Sequence, residues 1–201
     1  MNGGLFSERT VIPTLSEDLR TIIVEGCQEF DWSEVNPTVF GSIFEGSLSH
    51  DQRRAGGMHY TSPENIHKVI DPLFLGDLEA AFAEACAKPL AGGARTKALE
   101  DLHERLGSIS IFDPAGSGNF LTESYQCLRR LENRVLIELS KDGQISFDIE
   151  GTGEDQVKVS LANFHGIEVN DFACSVARTA LWIAEKQASM KARSWLTSSR
   201  I

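Results

Sequence analysis

The sequence predicts an α/β fold in which a helical segment precedes parallel βα units, and three observations carry that prediction. Apolar residues recur at helical spacing through the first half of the chain. A short β-prone run, Ser108-Ile109-Ser110-Ile111-Phe112, is bounded by Gly107 and Pro114 and leads through a glycine turn into a long amphipathic stretch, which is half of a βαβ unit. Phe164 to Val169 is a second core-strand candidate ahead of an alanine-rich helix. The 201 residues give room for one domain, or one large part of one.

Each element has its own signals. Residues 14–30 place Leu15, Leu19, Ile22, Ile23 and Cys27 on an amphipathic helix, with Ser16 as its N-cap ahead of Glu17 and Asp18. After Pro37, Val39, Phe40, Ile43 and Phe44 form a second stripe read as core packing. The polar, glycine-rich stretch from His50 to Tyr60 reads as a loop, with Arg53 and Arg54 as a solvated pair and His59 as a structural imidazole. Ser62-Pro63-Glu64-Asn65 then starts a short helix whose stripe is Ile66, Val69 and Ile70. Two more helices, 77–87 and 95–106, are separated by Gly92-Gly93. From Asn119 onward Leu121, Tyr125, Leu128, Leu131, Val135 and Leu139 mark a long helix. Alternation at Ile145, Phe147 and Ile149, and again at Val157, Val159 and Leu161, around Gly151-Thr152-Gly153 predicts a hairpin before the second strand. Ala173, Val176, Ala180 and Ala184 lie on one face of the last helix, and periodicity fades in a frayed tail from Ala192.

Composition excludes several classes. With 41% hydrophobic and 24% charged residues the chain belongs with ordinary globular proteins. Its net charge of −10 opposes bulk attraction to nucleic acid or anionic lipid, so a nucleic-acid partner must be argued from a site or from chain beyond this one. Cys27, Cys86, Cys127 and Cys174 stand 41 to 59 residues apart, with no pair at metal-ligand spacing. They read as reduced, mostly buried thiols of a cytoplasmic protein without a secretory leader, and no metal is expected. The longest apolar runs are far short of the roughly 20 residues that a bilayer span needs, so no membrane role is expected.

The chemistry concentrates at Phe112-Asp113-Pro114-Ala115-Gly116-Ser117-Gly118-Asn119-Phe120 and at Gly166-Ile167-Glu168-Val169-Asn170. Glycines at a strand-to-helix turn let backbone approach a ligand, and the first N–H groups of the helix attract an anionic group. An acid after the second strand can accept both hydroxyls of a ribose, because a carboxylate carries two acceptor oxygens. Together they describe a nucleoside site. Glu168 is farther away than the ~20 residues of the dinucleotide fingerprint, and Leu121 holds the third glycine position, which argues against a dehydrogenase. The phosphate-binding Gly-x-x-x-x-Gly-Lys-[Ser/Thr] loop does not occur.

Asp113 to Phe120 resembles the cofactor motif of amino-group DNA methyltransferases, Asp-Pro-Ala-Cys-Gly-Ser-Gly-Asn-Phe. Gly57-Met58-His59-Tyr60-Thr61-Ser62-Pro63-Glu64-Asn65-Ile66 is similar to the additional cofactor motif that lies N-terminal in γ-ordered adenine enzymes. Asn36 to Glu45, and Phe164 to Ala173 with Ala180-Leu181-Trp182, resemble the MmeI-like branch found in fused restriction and modification polypeptides. The resemblance covers about residues 1 to 190.

It implies a class I, Rossmann-like methyltransferase sheet in truncated form: a helical segment 1–106 carrying one cofactor loop, and a partial Rossmann-like domain 107–201. By the same resemblance the cofactor is S-adenosylmethionine. Asp113 is counted among the cofactor-binding residues, and Ala115, Gly116, Gly118, Asn119 and Phe120 would wrap the methionine part. Glu168 would hold the ribose hydroxyls, Val169 would pack on the adenine, and Tyr60 and Thr61 would close over the aminocarboxylate. The implied reaction is methyl transfer to N6 of an extruded adenine in double-stranded DNA.

Two departures qualify the expected activity. The family's cysteine between Ala115 and Gly116 is missing, so the loop is one residue short, and weakened or absent cofactor binding is expected unless neighbouring backbone compensates. The catalytic Asn/Asp-Pro-Pro-Tyr/Phe motif is absent: the chain's Asn-Pro is Asn36-Pro37, followed by Thr38, and Pro-Pro occurs nowhere. No residue is therefore assigned as catalytic, and the piece is expected to be inactive alone, with weak or no DNA binding. A two-strand parallel core would leave apolar faces that missing chain, a partner or self-association must cover. The alternatives are a non-catalytic cofactor-binding or assembly subunit, and a small-molecule or RNA methyltransferase.

Overall fold

The computed structural model describes residues 14–29, 31, 35–47, 61–114, 118–141 and 156–198. In chain order these hold α1 (Glu17–Glu29), α2 (Val39–Ser47), α3 (Pro63–Ile70), α4 (Gly76–Ala87), α5 (Ala94–Ser108), β1 (Ile111–Asp113), α6 (Asn119–Lys141), β2 (Phe164–Gly166) and α7 (Asp171–Ser198). The described chain is mostly helical, with one two-stranded parallel sheet.

Helix α6 is the axis around which α3, α4, α5, α7 and both strands pack. Its predicted stripe is buried throughout, and Leu128, Leu131 and Val135 are fully enclosed. Leu78 and Phe82 of α4, Leu99 and Leu106 of α5, and Ala184 of α7 complete one core with it. Tyr125 meets Phe164 of β2 edge to face, ring centroids 5.2 Å apart. Residues before and after position 106 thus share a single core. Helix α6 is not merely amphipathic, since Glu123, Arg129, Glu132 and Asn133 are buried as well.

The strands are shorter than the sequence suggests. Helix α5 runs on through Ser108, whose hydroxyl donates to Arg105 O at 2.8 Å, so β1 begins only at Ile111. Strand β2 ends at Gly166, and Ile167 and Val169 beyond it are exposed. In parallel register Ile111 faces Phe164, Phe112 faces His165 and Asp113 faces Gly166.

The predicted hairpin is overturned where it can be followed, residues 142–155 lying outside the described ones. Residues 157–160 form no strand, and Leu161–Asn163 is a 3-10 turn. The N–H groups of Lys158 and Val159, which would serve a ladder, donate instead to Glu132 Oε1 at 2.6 and 3.1 Å. The Glu132 carboxylate also takes the charged end of Arg129 and His103 Nε2, the latter at 3.0 Å. Burial pushes Glu132 up, but its bonds to His103, Arg129 and the two N–H groups outweigh this and hold it below its ordinary value.

Other expectations change in detail. Helices α3 and α4 are not separated, because Asp71–Leu75 forms a π-helical turn between them in which Gly76 N–H reaches Asp71 O five residues back. Pro72 has no N–H to give the carbonyl four residues before it, which explains the widening. Ile66 and Ile70 are buried as expected, but Val69 faces solvent. Helix α1 is capped by Ser16, whose hydroxyl accepts from Leu19 N at 3.3 Å, yet none of its apolar stripe is buried. All four cysteines are reduced thiols, and Cys127 is the buried one, so the expectation of mostly buried thiols fails for the other three. Helix α7 continues to Ser198, through the tail expected to fray. Among the described residues no helix is long and apolar enough to cross a membrane.

Candidate cofactor site

Parallel pairing sets the positions of both halves of the proposed nucleoside site. Asp113 lies opposite Gly166, and one residue later Ile167 N–H donates to Asp113 O at 3.1 Å. The carboxyl ends of β1 and β2 therefore share one edge, where the loop into α6 and the turn carrying Glu168 both begin. Ala115 and Gly116 in that loop, and Tyr60, lie outside the described residues, as do His59, Arg53 and Arg54.

The far end of the loop is fixed by packing. Gly118 has φ +78°, and a Cβ there would stand 2.6 Å from Ala177 Cβ of α7, so glycine is required for both conformation and space. Its carbonyl accepts Thr122 N–H at 2.9 Å and the Thr122 hydroxyl at 2.8 Å, which orients the first turn of α6. Asn119 is buried under α2, where a Cβ at Gly41 would lie 2.7 Å from Asn119 Nδ2. The chain ahead of α2 is held in place by Gln187 of α7, which donates to Val35 O at 2.8 Å. Asn36 Oδ1 then takes both the N–H and the hydroxyl of Thr38 at 3.0 Å, turning the chain into α2. The Asn36 to Glu45 segment, given no task by the sequence, thus sets Gly41 against Asn119.

Glu168 stands two residues beyond β2 and is half-buried. Its Oε1 accepts Asn170 N–H at 2.9 Å, while Asn170 Oδ1 accepts Ala173 N–H at 3.0 Å and caps α7. Val169 is 96% exposed beside it. Thr61 is half-buried and leads into α3, whose Ile66 and Ile70 pack with Phe120 of α6. The structure thereby gathers Asp113, Gly118, Asn119, Glu168 and Val169 around the sheet edge and the start of α6, with the helix behind Thr61 docked on Phe120.

A second polar group, which the sequence did not single out, joins α3 to α6. His67 Nδ1 lies 2.7 Å from Asp71 Oδ1, and His67 Nε2 lies 3.4 Å from Glu123 Oε1 and 3.8 Å from Cys127 Sγ. The bond to Asp71 raises the His67 pKa above its ordinary value, against the opposing effect of burial. Burial pushes the Cys127 thiol up to about 12, so on its own it is a donor rather than a nucleophile. The available signal was two pairs at helical i,i+4 spacing, His67 with Asp71 and Glu123 with Cys127.

Residues 90–200 match the family model described as the MmeI DNA-methyltransferase domain. The chain is 41% identical over 188 residues to DNA methyltransferase A of Bacillus subtilis (strain 168), covering 93% of this chain and 20% of that protein. It is 25% identical over 174 residues to the adenine-specific methyltransferase PglX of Streptomyces coelicolor, 73% of this chain and 13% of that one. The solved structure of the Type IIL restriction-modification enzyme MmeI in complex with DNA superposes with a TM-score of 0.76 at 35% identity, over 96% of this chain and 24% of that one. The chain spans about a fifth or less of the length of these curated relatives.

Proposed function

The chain belongs to the MmeI DNA-methyltransferase family, and from that premise we propose that it is the cofactor-binding part of a site-specific DNA methyltransferase acting on adenine N6. The observation that carries this reading is the register that sets Asp113 beside Gly166, from which the glycine loop and the Glu168 turn leave the same sheet edge. The sheet itself is read as the beginning of a Rossmann-like methyltransferase sheet, with 1–106 as the helical segment and 107–201 as the partial domain. Double-stranded DNA is the partner of the whole enzyme in this reading, which the solved structure of MmeI in complex with DNA supports.

The residues fit S-adenosylmethionine. A carboxylate can accept about four hydrogen bonds, so the Asn170 contact leaves Glu168 with capacity for a ribose diol. Val169 offers an uncovered apolar side chain for the flat face of adenine. The first turn of α6, oriented through Gly118 and Thr122, presents N–H groups to a carboxylate. Thr61 would approach from the α3 side. When bound, the cofactor supplies an electrophilic methyl group. Transfer needs an acceptor for the adenine amino group, and without an Asn/Asp-Pro-Pro-Tyr/Phe motif the chain binds cofactor but does not turn over alone.

The test is calorimetric titration of the 201-residue chain with S-adenosylhomocysteine, beside Glu168→Ala and a variant with cysteine inserted after Ala115. Binding that falls at least about tenfold in Glu168→Ala and tightens with the insertion supports the proposal. No binding by wild type and insertion variant alike, or equal binding by Glu168→Ala, overturns it.

A further inference from the structure

We infer that His67, Glu123 and Cys127 form a binding site for a Zn²⁺-class divalent cation that staples α3 to α6. The three ligand atoms outline a triangle with edges of 3.4 Å between His67 Nε2 and Glu123 Oε1 and 3.8 Å from each of these to Cys127 Sγ. A tetrahedral zinc with bonds of about 2.0–2.2 Å to nitrogen and oxygen and about 2.3 Å to sulfur sets such edges near 3.4 and 3.6 Å. The triangle is therefore one face of a zinc tetrahedron to within a few tenths of an ångström. Among the described residues this is the one group of this kind with ligand atoms so close.

Three further observations agree. His67 Nδ1 is bonded to the Asp71 carboxylate at 2.7 Å, which turns Nε2 toward the other ligands in the way that outer carboxylates orient zinc-binding histidines. Glu123 is only 4% exposed and its Oε2 is buried with no hydrogen-bond partner, so its negative charge is costly to bury and a cation held at Oε1 would neutralise it. Ile66, Ile70 and Leu75 dry the Cys127 side of the site, while His67, one-third exposed, opens it to solvent for a fourth ligand. Arg130 Nη2, at 3.8 Å from Glu123 and 3.9 Å from Cys127, is the competing cation, but its side chain is 61% exposed and can swing into water. Because the ligands come from the helix behind Thr61 and from the helix that opens with Asn119 and Phe120, a bound ion would, on the proposed function, lock together two sides of the cofactor site.

Cobalt and zinc titration of the metal-stripped chain tests this independently of any cofactor. The expected result is one Co²⁺ bound with a thiolate-to-cobalt charge-transfer absorption, displaced by Zn²⁺, and a thermal midpoint raised by Zn²⁺. Cys127→Ser should abolish the absorption, His67→Gln and Glu123→Gln should each remove or strongly weaken binding, and Asp71→Asn should weaken it about tenfold to a hundredfold. Cys86→Ser should behave as wild type. His67, one-third exposed, and Asp71, half exposed, keep the test open should Cys127→Ser not fold. Absence of the absorption in wild type, its survival in Cys127→Ser, or undiminished binding by His67→Gln would show that the four side chains are hydrogen-bonded partners only.

Discussion

Helix α6 buries two glutamates nine residues apart in opposite circumstances. Near its middle, Glu132 is fully enclosed and each of its oxygens is engaged: Arg129 on one, His103 and the Lys158 and Val159 N–H groups on the other. Near its start, Glu123 is almost as deeply buried, but all of its contacts converge on Oε1, and Oε2 has none. Equal burial therefore does not mean equal purpose. A carboxylate whose acceptors are filled from four directions ties the structure together; one left with an unpaired oxygen beside an imidazole and a thiol has the composition of a ligand set.

The comparison breaks most visibly at Glu132. Replacing it with alanine leaves Arg129 charged and unpaired in the core and frees two backbone donors, and the expected loss is about 3–5 kcal/mol in urea unfolding. A loss under about 1 kcal/mol would mean that the network is incidental. The same carboxylate sets an acid limit. Its pKa is held below the ordinary 4.5, so the stability it adds is fully present above that value and disappears as pH falls through the folded-state pKa. The margin of wild type over Glu132→Gln should thus be constant at higher pH and shrink below pH 4.5. A margin that grows on acidification would reverse the assignment. The smallest effect belongs to Glu123→Gln in metal-stripped protein. The amide keeps an acceptor toward His67 and removes a charge with an unpaired oxygen, so the expected change is about 1 kcal/mol or less by the same unfolding measurement. A loss as large as that at Glu132 would erase the distinction.

The regular part of this chain was legible because it rests on local periodicity. The stripe from Leu121 to Leu139 placed α6 and its core face, Ser62-Pro63-Glu64 marked the start of α3, and Gly92-Gly93 marked the break before α5, where both glycines take positive φ. The elements that were misread depend on distant partners. Val157, Val159 and Leu161 alternate like a strand, but a glutamate about 26 residues earlier claims the N–H groups on which pairing would depend. Helix α1 has a clear stripe, yet amphipathicity cannot say what covers it.

The candidate site divides in the same way. The order of residues in Asp113 to Phe120 and Glu168 to Asn170 is what the proposed nucleoside site rests on, because glycine, helix start and carboxylate are local chemical statements. That the halves share an edge followed from the parallel pairing of Asp113 with Gly166.

By itself the sequence determined helix positions, the switch to βα units and the family to which the chain belongs, since each is written in spacing and residue type along a short stretch. Tertiary structure alone decided which carboxylate on α6 is satisfied and which is not, and that His67, 56 residues from Glu123, reaches it. Burial and hydrogen bonding are properties of neighbours in space, and no period along the chain encodes which distant donor arrives.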